Sequence, residues 1–284
     1  MLQRSSIIDY LCNKMTDMSI AEWIEQREIQ GFPTFSFKEV MKNFPALNIS
    51  SISNELCRLN KKKRIQSVHK GFYTAVPISF KEKGIVPPYN YIGQLMTHLN
   101  KPYYISLLSA GVLNGAAHQR PQRMSITTVL PKISNSEDYN PSLVWNFRKE
   151  IPEDFLLETN SDTGIILYSN PELTAVDLVQ YNSLIGGLSV ASTIIEELAE
   201  KLDFEKFGDK IKKITTYPTL QRLGYILDII LGQQELADSI YKILQPNFKD
   251  IKYRPLSTDK PTAGYEKNTK WKVIINQEIE TDEW

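Results

Sequence analysis

The stretch from Ser36 to Val76, SFKEVMKNFPALNISSISNELCRLNKKKRIQSVHKGFYTAV, decides how the rest of the chain is read. Asn48 to Arg64 reads as one helix with two unlike faces. At 100° per residue, Ile52, Leu56 and Leu59 share an apolar stripe. Ser50, Asn54, Arg58 and Lys61 fall on the opposite side. That outer face is short and polar at its start and cationic towards its end, and the run Lys61-Lys62-Lys63-Arg64 closes it. Ile65 to His69 and Phe72 to Val76 then alternate as two short strands around Lys70-Gly71, a tight turn with a basic tip. Helix followed by basic hairpin is the arrangement of a winged helix-turn-helix. Such a face suits a DNA major groove, with Ser50, Ser51, Asn54 and Arg58 at base edges and Lys61, Lys62, Lys63 and Arg64 on phosphates. His69 and Lys70 would act from the wing. The competing reading is a solvated amphipathic helix beside an ordinary hairpin, and the elements upstream weigh against it.

Ser19-Ile20-Ala21-Glu22 has capping-box spacing, in which hydroxyl and carboxylate satisfy the orphan amides of a first helical turn. Ile20, Trp23 and Ile24 begin the buried face of that helix. Gly31 is a natural cap at its end, with Pro33 beyond. Phe32 to Phe35 is aromatic-rich and suits a small third strand beside the hairpin. A second box, Ser36-Phe37-Lys38-Glu39, opens a helix expected to bury Val40, Met41 and Phe44 before Pro45 stops it. Ala46 and Leu47 turn the chain into the basic helix. The order helix, strand, helix, turn, helix, hairpin is consistent at every level with DNA binding. Ser6 to Met15 is a further candidate helix, to which no chemistry is assigned.

With 284 residues the chain can build two cores. A hydrophobic fraction of 42% and 23% charged residues belong to a soluble globular protein. Lys plus Arg and Asp plus Glu both number 33, so total charge is uninformative. Its distribution is not. Between Ser50 and Lys83, eight basic residues face only Glu55 and Glu82, whereas Glu278, Glu280, Asp282 and Glu283 make the end acidic. One basic patch on a neutral chain is the pattern of a DNA-binding domain joined to a domain with another task. Cys12 and Cys57 have no metal-like spacing, and Cys57, beside the apolar stripe, reads as a small core residue. The expected compartment is the reducing cytoplasm. Met1 to Ser5 does not open a signal peptide, and no run of about 18 apolar residues is present to span a membrane.

Pro77 to Pro88, with Gly84 and Pro87-Pro88, reads as the linker region. The expected division is a DNA-binding domain over 1–80, a linker over 81–88 and a larger domain over 89–284. In the larger domain Tyr91–Leu99 and Tyr103–Leu113 read as helices, the second buried, with Ser106, Ser109, Ala110 and Gly111 permitting close contact. The period then moves towards two. Ser125–Leu130, Leu143–Lys149, Phe155–Thr159 and Gly164–Tyr168 are strand candidates. Helices return at Thr174–Tyr181, Leu188–Leu202, Leu220–Ile230 and Glu235–Leu244, and Trp271–Asn276 reads as a last strand. The fold class is therefore α+β: an N-terminal winged helix-turn-helix followed by a larger mixed α/β domain.

No catalytic constellation is legible. His69, His98 and His118 are the three histidines and lie far apart. His118-Gln119-Arg120 reads as a polar loop. Gly186-Gly187 lacks the Lys-Ser/Thr of a phosphate loop. Glu196-Glu197 and Asp162 lack the spacing of a metal-dependent nuclease. Arg222 and Asp228 read as structural polar contacts, and Gly224 as a place where another element approaches while Tyr225 fills the gap. The expectation is a non-enzyme without cofactor or metal. A second class stays open, a ligand-responsive winged-helix regulator whose larger domain binds an effector.

Four segments of the larger domain carry a family likeness. They are Tyr103-Tyr104-Ile105-Ser106-Leu107-Leu108-Ser109-Ala110, then Tyr168-Ser169-Asn170-Pro171-Glu172-Leu173-Thr174-Ala175-Val176-Asp177-Leu178-Val179 continued by Gly186-Gly187, then Gln221-Arg222-Leu223-Gly224-Tyr225-Ile226-Leu227, and finally Trp271-Lys272-Val273-Ile274-Ile275-Asn276. In their order and joint presence, behind a winged helix, the chain resembles the AbiE-type antitoxins of bacterial type IV toxin–antitoxin and phage-defence pairs. The resemblance implies that the N-terminal domain binds inverted repeats in double-stranded promoter DNA and represses its own operon. It implies a toxin of the nucleotidyltransferase class as functional partner, generally opposed without a stable complex, and leaves direct contact with the toxin open.

Overall fold

The computed structural model describes residues 18–116, 121–133 and 140–281. The candidate helix Ser6–Met15 with Cys12, the His118-Gln119-Arg120 segment, and Asp282 and Glu283 lie outside the described residues. The chain divides into two compact units, one of Met1–Pro102, Leu130–Leu143 and Thr159–Ile166, the other of Tyr103–Val129, Val144–Glu158 and Leu167–Trp284. Residues 81–88 fall within the first.

The first unit contains, in order, α1 (Ile20–Ile29), β1 (Thr34–Ser36), α2 (Phe37–Asn43), α3 (Ile49–Lys61), β2 (Ile65–His69), β3 (Phe72–Ala75) and α4 (Ile92–His98). Both capping boxes form. Glu22 accepts from the Ser19 amide at 2.8 Å while the Ser19 hydroxyl accepts from the Glu22 amide at 3.2 Å. Ser36 and Glu39 repeat the exchange at 2.7 and 3.2 Å. Gly31, at φ +84°, closes α1 by turning the chain left-handed, and the Phe32 amide donates back to the Arg27 carbonyl at 2.8 Å. The third strand also forms: β1 pairs antiparallel with β3 and β3 with β2, placing Phe35 opposite Tyr73. Ile20, Ile24, Phe35, Val40, Ile52, Leu56, Leu59, Ile65 and Ala75 make one core, capped by Trp23 standing edge-on to Phe35 at 5.5 Å.

Two side chains expected in this core are outside it. Met41 is 39% exposed, because the seven-residue α2 buries only Val40. Cys57 is an exposed free thiol, since it lies 100° around α3 from the buried Leu56.

Downstream, β4 (Tyr103–Ile105), α5 (Leu107–Leu113), β5 (Met124–Val129), β6 (Leu143–Arg148), β7 (Leu156–Ser161) and β8 (Gly164–Ser169) follow. The strands form one sheet ordered β6-β5-β4-β8-β7, with β4 antiparallel to β5 and parallel to β8. The four strand candidates hold to within two residues at every boundary. The buried helix Tyr103–Leu113 does not hold. Its first three residues are the central strand of the sheet, and the helix starts only after Ser106, with Leu107 at φ +52°. A short apolar run has no period that separates a buried strand from a buried helix, and Tyr-Tyr-Ile favours the strand. The close contact expected of the small residues is present. A Cβ on Gly111 would lie 2.9 Å from the Ala116 carbonyl oxygen.

The remaining helices are α6 (Pro171–Gln180), α7 (Leu188–Leu198), the short α8 (Phe204–Phe207) and α9 (Lys210–Ile214), α10 (Tyr217–Tyr225) and α11 (Gln234–Leu244). A π-helical turn, Ile226–Ile230, extends α10. Asn170 caps α6 by accepting from the Leu173 amide at 2.9 Å, and every residue from Glu172 to Val179 is buried. Of the expected last strand only β11 (Val273–Ile274) pairs, between β9 (Arg254–Pro255) and β10 (Lys267–Asn268). The approach expected at Gly224 is made by Trp271: a Cβ there would lie 2.0 Å from the indole Cζ3. The indole N–H donates to Asp228 at 2.7 Å, whereas Arg222 donates to the Pro255 carbonyl at 2.9 Å. Among the described residues no helix is long and apolar enough to cross a membrane.

Candidate nucleic-acid interface

The sequence of α3 orients its outer face. Asn48 accepts from the Ser51 amide at 2.7 Å and starts the helix. Ile52, Leu56 and Leu59 lock the inner face into the core. Ser50, Ser51, Asn54, Arg58, Lys61 and Lys62 are thereby left exposed on the outside. Arg58 is held in place by a neighbour that the sequence reading counted only as a charge. Glu55, one turn earlier, accepts from its Nε at 2.7 Å and from its Nη2 at 2.5 Å. This fork-to-fork pair lowers the carboxyl pKa of Glu55, chiefly through the hydrogen bonds from Arg58.

The end of α3 is built differently from its middle. Lys63 takes a left-handed φ of +54°, and the Arg64 amide reaches back to the Leu59 carbonyl at 3.0 Å. That termination turns the last two cations of the run away from the helix axis. Lys63 donates to the Glu82 carbonyl at 2.7 Å, and its methylenes lie against Gly84. Arg64 is half-buried and pairs with Glu25 of α1 at 2.5 Å. Of the four adjacent cations, Lys61 and Lys62 are exposed on the helix, whereas Lys63 and Arg64 also serve the unit's own structure.

The hairpin carries Lys70 at an exposed tip, with Gly71 at φ +71° completing the turn. The tip is anchored, since the Phe37 amide at the start of α2 donates to the Gly71 carbonyl at 2.8 Å. His69 faces inward instead. Both ring nitrogens are out of solvent contact, and burial, together with the nearby His98, holds its pKa below the usual histidine value despite a backbone hydrogen bond at Lys70. A neutral, half-buried imidazole is a poor phosphate contact.

The second unit holds a charge cluster that the sequence did not disclose. Arg148 at the end of β6 donates to Asp177 in the middle of α6 at 2.7 Å and to the Tyr104 hydroxyl of β4 at 3.1 Å. Tyr104 itself donates to Asp177 at 2.7 Å, and Arg148 also donates to the Ile214 carbonyl. All three side chains are buried. Burial raises the Asp177 carboxyl to about 6, although Arg148 and the Tyr104 hydroxyl favour its charged form. Burial works to lower the Arg148 pKa as well, but Asp177 and Tyr104 outweigh it and the guanidinium stays firmly protonated. The periodicity that located α6 shows nothing unusual at Asp177. Its only signal is a carboxylate inside an otherwise apolar run.

Residues 104–229 match the family model of the AbiEi antitoxin C-terminal domain. A comparison with curated proteins finds no match. Among solved structures, the crystal structure of the RV2827C protein from Mycobacterium tuberculosis shares the fold, with a TM-score of 0.64 at 11% identity. The likeness covers 88% of this chain and 89% of that one. The matched segment contains Tyr104, Arg148 and Asp177, the strand-to-helix passage into α6 and the Gly224 helix. Over this segment, residues 104–229, the chain is similar to the C-terminal domain of the AbiEi antitoxins.

Proposed function

We propose that this chain is the antitoxin of a type IV toxin–antitoxin pair, and that it represses its own operon through a winged helix-turn-helix ahead of the antitoxin domain. One observation carries the DNA-binding half: α3 sets its whole apolar stripe into the core and leaves a face of Ser50, Ser51, Asn54 and Arg58, ending in Lys61 and Lys62, with no fold to support. The strand order β1-β3-β2 behind three helices supplies the scaffold that presents such a helix to a major groove. In this reading Ser50, Ser51, Asn54 and Arg58 contact base edges, Lys61 and Lys62 contact phosphates, and Lys70 reaches the backbone from the hairpin tip. Lys63 and Arg64 add field more than contact. The partner in this role is double-stranded promoter DNA, the compartment is the cytoplasm, and the toxin is of the nucleotidyltransferase class that the family resemblance implies.

The test is fluorescence-anisotropy binding of the full chain to DNA upstream of its own gene, beside scrambled DNA, over a salt series. The expected result is salt-steep binding with a clear preference for the upstream DNA, and Asn54→Ala costing about 1–3 kcal/mol of the specific term. Equal, weak binding to both DNAs would sink the repressor reading.

A further inference from the structure

The turn from α2 into α3 exposes carbon where the outer face of α3 is otherwise polar. Leu47 in the turn is 43% exposed, and Ile49, the first residue of α3, is 64% exposed. The turn itself is anchored on both sides. Phe44 packs against the core and stands edge-on to Trp23 at 6.1 Å. The Leu47 amide donates to the Phe44 carbonyl at 3.1 Å, and Ile52 is buried one turn into α3. Leu47 and Ile49 are therefore held outward between two fixed points.

Two observations indicate what covers them. The first is charge. From Val40 to Asn54 the chain has no acidic residue, and Lys42 is exposed within that stretch. The flanking carboxylates are bonded, Glu39 to Ser36 at 2.7 Å and Glu55 to Arg58 at 2.7 Å. An apolar patch in a stretch without carboxylates suits a polyanion better than an acidic or neutral protein surface. The second is position. A helical side chain leans towards the helix N-terminus, so Ile49 stands over the end of α3 that a recognition helix pushes into the major groove. Base edges in that groove carry hydrogen-bonding groups, and the one apolar group among them is the C5-methyl of thymine.

We propose that Ile49, with Leu47, reads thymine through its methyl group, so that the bound DNA carries thymine opposite the start of α3. This rests on the DNA-binding reading above and adds to it. Ser50, Ser51, Asn54 and Arg58 discriminate by donors and acceptors, whereas these two side chains discriminate by burial of a single carbon.

The experiment is fluorescence-anisotropy binding of the full chain to the preferred upstream duplex, made once with thymine and once with deoxyuridine, which lacks only the methyl. The deoxyuridine duplex should bind about fourfold more weakly for each methyl contacted, the worth of one buried carbon. Leu47→Ala with Ile49→Ala should lose affinity for the thymine duplex and no longer distinguish the two. Both side chains are exposed, so the double variant should keep the wild-type Tm. Specific, salt-steep binding that is equal on both duplexes would overturn the methyl contact and leave the DNA-binding reading standing. A double variant that still distinguishes the duplexes would overturn the assignment to these residues. Equal affinity for both duplexes, with self-association lost in the variant, would reassign the patch to an interface between copies. No preference for upstream over scrambled DNA would remove the DNA-binding reading and this inference together.

Discussion

Two arginine–carboxylate pairs of the molecule lie in opposite settings. Arg58 and Glu55 meet at 2.5 Å on the surface of α3, with 52% and 27% of their side chains exposed. Arg148 and Asp177 meet at 2.7 Å with 7% and 0% exposed. Water screens the first pair, which loses little if it opens. The second has no water to return to, and each partner is tolerable only because the other is there. Similar geometry therefore means orientation of a side chain in one unit and integrity of the core in the other.

The largest effect should come from breaking the buried pair. Arg148→Ala leaves Asp177 with the Tyr104 hydroxyl alone in the core, and should cost about 3–5 kcal/mol in urea unfolding. Arg148→Met with Asp177→Leu should recover much of that loss, as an uncharged pair removes both penalties. Equal stability of the single and double variants would show that the pair does not couple. The pH dependence follows from the same burial. Asp177 has a folded pKa of about 6, above its ordinary unfolded value, so the folded chain holds this proton more tightly than the unfolded one. Its contribution to stability is greatest below the unfolded pKa, is lost as pH rises through about 6, and is constant above. Urea midpoints across that window should fall with rising pH in the wild type and lose this component in Asp177→Asn. A midpoint that rises by the same amount in both proteins would contradict the raised pKa.

Next in size is the approach of Trp271 to α10. Gly224→Ala places a methyl 2.0 Å from a buried indole that already donates to Asp228. The ring must move, at a cost of about 1–3 kcal/mol, and the Trp271 fluorescence should shift with it. Wild-type stability and emission together would mean that the indole does not pack there.

The contrast between the two units also accounts for what the sequence made legible. Short-range signals located the elements of the first unit. Ser19 to Glu22 and Ser36 to Glu39 are three residues apart, and a capping box acts over no more than that. The stripe Ile52-Leu56-Leu59 is read within one helix. In the second unit the deciding contacts are long-range. Tyr104 and Asp177 are 73 positions apart and Gln221 and Trp271 are 50, and no local pattern links such pairs. The same limit divided the run Lys61-Lys62-Lys63-Arg64. Its charge was visible, but the diversion of Lys63 to Glu82 and of Arg64 to Glu25 depends on residues 19 and 39 positions away. Tyr103–Ile105 became a strand for a related reason: its neighbours β5 and β8 come later in the chain. A smaller, local test fits this division. Ser36→Ala removes a hydroxyl that caps α2 and should cost about 1 kcal/mol, without altering the second unit.

The smallest expected change in stability is at the exposed pair, and there the effect on binding should be largest relative to it. Arg58→Ala and Glu55→Ala should each leave the urea midpoint near that of the wild type, because neither side chain supports the core. On the proposed promoter DNA they should part. Arg58→Ala loses a contact made at a base edge and should weaken specific binding by about tenfold. Glu55→Ala keeps that guanidinium but releases its fork, so total affinity should change little or rise as a carboxylate leaves the interface. Discrimination between upstream and scrambled DNA should fall, since an unheld arginine can settle on phosphates as readily as on a base. Lys62→Ala gives the third corner of the comparison, weakening all sequences alike and lowering the salt slope by about one. If Glu55→Ala and Lys62→Ala prove indistinguishable in sequence preference, the carboxylate does not aim Arg58. The pair on α3 would then be a surface ion pair with no part in recognition.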